Sequence, residues 1–271
     1  MDMLKEALQF AFIQRALWAG CLVAVSCAFL GVFLVLRRFA MIGDGLAHIS
    51  FAAIALGLLI KVTPIFVAVP LVVLAALGIL RLSDRSWVYG DAAIGLLSAI
   101  GVATGVLIAS FAGGFNVDLF SYLFGNILSV SRAEVALSVV LSFIIIGVVN
   151  LFYHDLFAAT FDQDHAQVSG IRTGLVNRIL LVLTALTVVL GIKVVGTMLV
   201  SSLIIFPAVS ALFVARSFRT AILLAAVFGL FSVVAGIFVS YAFNLPSGAT
   251  IVYVNFVIFI ILFILKGRTC Q

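Results

Sequence analysis

Apolar residues in this chain come in long runs divided by short polar breaks, at about 10–36, 40–60, 62–80, 91–112, 133–153, 178–192, 196–215, 220–242 and 249–265. Most of these runs approach the roughly 20 residues that a helix needs to cross the hydrocarbon core of a bilayer. In lipid a helix satisfies its own backbone hydrogen bonds, and the runs are too long and too uniform for the alternating strands of a barrel. The pattern predicts an all-α polytopic membrane protein of about nine spans, range eight to ten, in one transmembrane domain over residues 1–271. The run at 178–192 is short and its break from 196–215 is slight, so a broken or re-entrant helix pair is an alternative there. No period of 20–50 residues repeats, which excludes a solenoid.

Composition agrees with a lipid solvent. The chain is 65% hydrophobic and 9% charged, whereas soluble domains carry about 25% charged residues. The opening residues lack the basic start and small-residue cleavage site of a secretory signal, so the first span is expected to stay. Cys21 and Cys27 fall in the first span and Cys270 at the tail. Without CxxC spacing they read as small core residues, not as a disulfide framework or thiolate zinc site. With nine spans, Arg37, Arg38, Arg81, Arg85, Arg172, Arg178, Arg216, Arg219, Lys266 and Arg268 share one side, against Lys5, Arg15, Lys61, Arg132 and Lys193 on the other. The richer side is the cytoplasmic one, which puts the carboxyl terminus inside and the amino terminus outside. The net charge of +5 is mostly this bias, and no clustered basic face points to nucleic acid.

Two connections are irregular. Residues 158–177 form the longest stretch of dense polar content on the cytoplasmic side and should carry a partner contact, the plain alternative being a solvated loop. Within it Phe161, Asp162, Gln163, Asp164, His165 and Ala166 resemble the first turn of a short helix with acids at its positive end, and Gly170 is placed to end that helix. Residues 112–118, including Asp118, lie outside and lead into an aromatic interfacial run at 119–125.

The candidate chemistry is in the second span, where Asp44 and His48 follow Gly43 and flank Gly45. A spacing of four puts both side chains on one helix face, and ionisable groups inside a span are costly enough that they usually mark an ion or substrate path. If the span begins near Phe39, Asp44 lies about 8 Å and His48 about 14 Å into a slab about 30 Å thick. A carboxylate and an imidazole on adjacent turns suit zinc, manganese or iron(II). The pair is an incomplete ligand set. A proton relay, or a structural Asp–His hydrogen bond between helices, uses the same two residues. His154 reads as an interfacial group, His165 belongs to the polar loop, and Asp91 reads as a cap or first-turn acid of the fourth span. HExxH, GxSxG and GxxxxGK[ST] are absent, so this is not a recognisable hydrolase and any ATP hydrolysis must happen on another polypeptide.

Residues 37–50, with Arg37 and Arg38 ahead of Gly43, Asp44, Leu46 and His48, resemble a segment of the bacterial ABC-type zinc/manganese permeases, the membrane subunits of divalent-metal importers. Further resemblance follows in order at 122–128, 161–166, 195–200, 206–208 and 245–252. The resemblance implies a fold related to the vitamin B12 and iron-siderophore importer permeases. It implies a homodimer in the bacterial cytoplasmic membrane, two copies of a cytoplasmic ATP-binding subunit, an extracytoplasmic metal-binding protein, and no cofactor beyond the transported zinc or manganese ion. Asp44 and His48 carry over as metal-path residues, and the loop from Asp162 to Gly170 as the element that docks on the ATPase. Gln163 and His165 stand where proline and an aromatic are commoner, and Asn244 where many members have aspartate, so no metal role passes to Asn244. Ala52 and Ala53, without the proline associated with manganese-type members, lean the expectation toward zinc; manganese or iron(II) import, and a passive or proton-coupled carrier, are the alternatives.

Overall fold

The computed structural model describes residues 9–83, 90–111 and 130–269. The expectations for Asp118, for the aromatic run and for the family segment at 122–128 fall outside them. Eleven described helices follow in chain order: α1 (Ala11–Leu36), α2 (Ile42–Leu59), α3 (Pro64–Ser83), α4 (Gly90–Phe111), α5 (Arg132–Leu151), α6 (Tyr153–Phe161), α7 (Gln163–Val168), α8 (Thr173–Val195), α9 (Thr197–Val214), α10 (Phe218–Phe243) and α11 (Ser247–Thr269). Among the described residues eight are long and apolar enough to cross a membrane, and Leu199–Val214 within α9 is a shorter apolar helix. The expected nine spans thus appear as eight plus one short one.

Helix α1 is the hub. Its buried residues include Ala16, Ala19, Ala24, Cys27, Ala28 and Gly31, and small side chains of this kind let helices approach closely where lipid supplies no hydrophobic drive. Around it pack α5, α8, α9 and α10. A Cβ on Gly31 would come within 2.2 Å of the Ile204 carbonyl oxygen, so only glycine allows α9 its seat. Ser26 and Ser142 place their hydroxyl oxygens 2.8 Å apart between α1 and α5. The outer helices instead turn apolar side chains outward, among them Phe66, Leu74, Leu107, Phe143 and Phe263, each more than half exposed. That surface has a solvent only in a bilayer.

The short run at 178–192 belongs to a longer helix, α8, because Thr173 to Asn177 on one side and Lys193 to Val195 on the other extend it beyond the apolar segment. Nor are α8 and α9 a broken single helix. Asn177 on α8 meets Arg37 at the end of α1, Gly191 lies against Val23 and Val200, and Ile204 and Ala208 lie against Gly31. The chain therefore climbs α1 in one sense along α8 and returns in the other along α9. Gly196 makes the reversal with φ 91°, a conformation that side-chain-bearing residues rarely adopt. Another difference lies at 152: α5 ends at Leu151, and the polar loop expected from 158 begins inside a nine-residue helix, α6.

Asn244 caps α10 in the left-handed conformation, φ 52° and ψ 42°. Asparagine tolerates that conformation better than most side chains, which gives this position a structural reason for its residue.

Candidate functional site

Helix α2 starts later than the hydrophobic pattern implies. Arg38 takes φ 61°, and the Phe39 N–H donates back to the Leu34 carbonyl at 2.9 Å, so residues 37–41 form a turn that closes α1. Asp44 consequently sits in the first turn of α2. At about 1.5 Å per residue it is some 3 Å, and His48 some 9 Å, from the helix start. His48 therefore sits roughly one third of the way along an 18-residue helix that begins at Ile42, three residues later than the start near Phe39 that the expectation used. The carboxylate gains from this place, because the N-terminal end of a helix carries partial positive charge.

Asp44 Oδ2 and His48 Nε2 are 3.4 Å apart, with side chains 41% and 35% exposed on the single chain. The spacing of four does bring the two groups together. Their neighbours on the helix, Gly43, Gly45, Leu46 and Ala47, are buried. Close packing fixes this face: a Cβ on Gly45 would be 2.8 Å from Ile94, and one on Gly101 would be 2.9 Å from the backbone of His48 and Ile49. Helix α4 thus lies against the His48 backbone itself, and the imidazole is presented by a rigid pair of helices. Among the described residues no group of three or more His, Cys, Asp or Glu side chains is placed to hold a metal ion. What the chain offers is two donors, open on one side. Asp91 falls in the first turn of α4 as expected.

The polar loop is built quite differently. Asp162 caps α7, its carboxylate accepting from the His165 N–H at 2.8 Å, and Gly170, at φ 88°, follows the helix. Phe161 is the last residue of α6 rather than part of the short helix. Gln163, Asp164 and His165 are exposed on α7, and Ala166 alone is buried. Phe161 and Val168, 63% and 89% exposed, leave apolar surface uncovered on either flank.

Sequence reasoning counted Arg37 only among the cytoplasmic-side charges and ahead of the Asp44 segment, and missed its bonding to other helices. Its guanidinium donates from Nε to Thr160 Oγ1 at 2.9 Å, from Nη2 to the Leu156 carbonyl at 3.1 Å, and from Nη1 to Asn177 Oδ1. Burial draws its pKa down to about 10, still well above neutrality, so the group is charged. One side chain therefore ties the end of α1 to α6 and α8, seven residues ahead of Asp44. At the opposite end, Lys193 Nζ and Glu134 Oε1 pair at 2.9 Å, and Glu134 also completes a capping box with Ser131 at the start of α5. The only sequence signal for Arg37 was its place directly before the Asp44 segment.

The model of the ABC 3 transport family matches residues 9–266. The chain belongs to that family. Within it, the chain is 33% identical over 263 residues to the manganese transport system membrane protein MntC of Halalkalibacterium halodurans, covering 97% of this chain and 90% of that one. It is 29% identical to the high-affinity zinc uptake system membrane protein ZnuB of Haemophilus influenzae, covering 93% and 97%. Among solved structures, PsaBC from Streptococcus pneumoniae in complex with Fab superposes with a TM-score of 0.86 at 29% identity, over 97% of this chain and 94% of that one. Family membership makes this a multi-pass ABC transporter membrane subunit rather than an ATPase, and the all-helical expectation holds.

Proposed function

We propose that the chain is the permease subunit of an ATP-driven importer of a divalent transition metal. It acts as a homodimer in the bacterial cytoplasmic membrane with its carboxyl terminus inside, bound to two copies of a cytoplasmic ATP-binding subunit and supplied by an extracytoplasmic metal-binding protein. The observation that carries this reading is the Asp44–His48 pair: a carboxylate and an imidazole, two metal-donor groups on a membrane helix, partly exposed, with no third His, Cys, Asp or Glu placed beside them among the described residues.

A dication in low dielectric has to be compensated at every step. Two protomers facing each other across these helices supply two carboxylates and two imidazoles, enough for a tetrahedral zinc or for part of the larger, partly hydrated shell of manganese. Ligands shared between two copies also separate when the copies rock apart, which gives the ion a way out. Helix α7, exposed, capped and with bare Phe161 and Val168 beside it, is the surface offered to the ATP-binding subunit, and Arg37 ties α6 and α8, the helices on either side of it, to the chain that leads into α2.

Manganese and zinc both enter the test, the first from the name of the MntC relative and the second from Ala52 and Ala53. Vesicles containing the purified complex are loaded with ATP and given radioactive manganese or zinc. ATP-dependent accumulation of one or both is expected. Equal uptake by vesicles holding this chain alone, without nucleotide, would replace the importer with a passive or proton-coupled carrier.

A further inference from the structure

At the end of the bundle that bears Arg37, a surface cavity of 360 Å³ opens between α1, α5, α6 and α10. Asn150, Tyr153, His154 and Arg219 are among its lining residues, and so are Phe29 and Leu223. The polar groups cluster at the helix ends and the apolar ones lie deeper. Leu223 is one turn into α10 from Arg219, and Phe29 lies about 12 Å along α1 from Arg37 at 1.5 Å per residue. Arg219 places its guanidinium carbon 5.2 Å from the Tyr153 ring centroid. Among the described residues no carboxylate pairs with it and none lines the cavity. Held over a ring and without an anionic partner, the guanidinium is set to take a phosphate through parallel N–H donors.

From this gradient we infer that the cavity binds one anionic phospholipid of the cytoplasmic leaflet. The phosphate diester lies on Arg219 with Asn150 and His154 beside it, and an acyl chain runs over Phe29 and Leu223. A soluble phosphate would use the rim and leave the apolar floor without a role. A zwitterionic lipid would fill the floor and bring no net negative charge to the arginine. Binding here does not depend on the metal reading, because the residues belong to a different part of the chain.

The test uses the full chain in mild detergent, exchanged into phosphatidylglycerol or phosphatidylcholine, with retained lipid measured by native mass spectrometry. Phosphatidylglycerol is expected to stay bound through washes that remove phosphatidylcholine, and Arg219→Gln to lower its retention about tenfold, the scale of one charge-assisted hydrogen bond. Arg216→Gln, an exposed neighbour outside the cavity, is expected to change nothing. Inorganic phosphate at millimolar concentration should not displace the lipid. Equal retention by wild type and Arg219→Gln, or displacement by inorganic phosphate, would overturn the assignment. A second measurement needs no variant: a photoreactive phosphatidylglycerol should crosslink to peptides containing Phe29 or Leu223, and labelling confined to other helices would equally overturn it.

Discussion

The two functional ends of α2's surroundings are opposites in construction. At Asp44 and His48 the chain leaves two ionisable side chains half exposed, touching each other at 3.4 Å, with no further ligand of their kind nearby among the described residues. A few residues upstream, Arg37 is half-buried and makes three hydrogen bonds to three acceptors on α6 and α8. A site that must take up and give back an ion gains from open coordination. A joint that must pass a displacement from one helix to the next gains from having every donor fixed. The same stretch of sequence holds both, and on the proposed function the difference between them is the difference between carrying cargo and carrying force.

Substitutions can pull this contrast apart. The largest effect is expected at the open pair: Asp44→Asn keeps the size and removes the charge, and should lower metal uptake by more than about 100-fold, beyond what outer-shell partners of a metal usually cost, while co-purification with the ATP-binding subunit is unchanged. Next, Asp162→Lys with Asp164→Lys puts cations at the positive end of α7 and removes its cap, each opposing the helix by about 1 kcal/mol. The complex should then lose most of its metal-stimulated ATPase activity, read by phosphate release. Arg37→Lys retains a charge and loses the fork, so transport should fall about tenfold with ATPase activity largely retained, the sign of a joint that slips. Wild-type transport by that variant would remove the clamp from the mechanism. A purely structural loss is expected from Gly101→Val, whose side chain meets the His48 backbone, at about 1–3 kcal/mol in a thermal or denaturant melt. The smallest change belongs to Glu134→Gln: its partner Lys193 is one third exposed, and such pairs are worth about 0.2–1 kcal/mol.

The spans were legible because lipid imposes one demand, an apolar run of sufficient length, that a sequence displays directly. The short α7 could be read as well, since Asp162 and Gly170 act on their own neighbours. Helix α6 escaped: nine residues carry no spanning signature, and Tyr153, Phe157 and Phe161 derive their order from rings around Phe218 that are far away in the chain. Arg37 escaped for the same reason, its partners being 119 to 140 residues distant. Asp44 and His48 were visible as a pair from their spacing, but the start of their helix was set three residues early, because the left-handed turn at Arg38 that delays α2 has no mark in the hydrophobic pattern.

The claim on which the rest depends is that this pair holds the ion in passage. Metal-edge X-ray absorption on the manganese- or zinc-loaded complex, trapped with a non-hydrolysable nucleotide, measures it most directly. The account predicts imidazole and carboxylate scattering around the metal, with the imidazole signal lost in His48→Ala. An unchanged spectrum in that variant, or a metal ringed only by water, would contradict it.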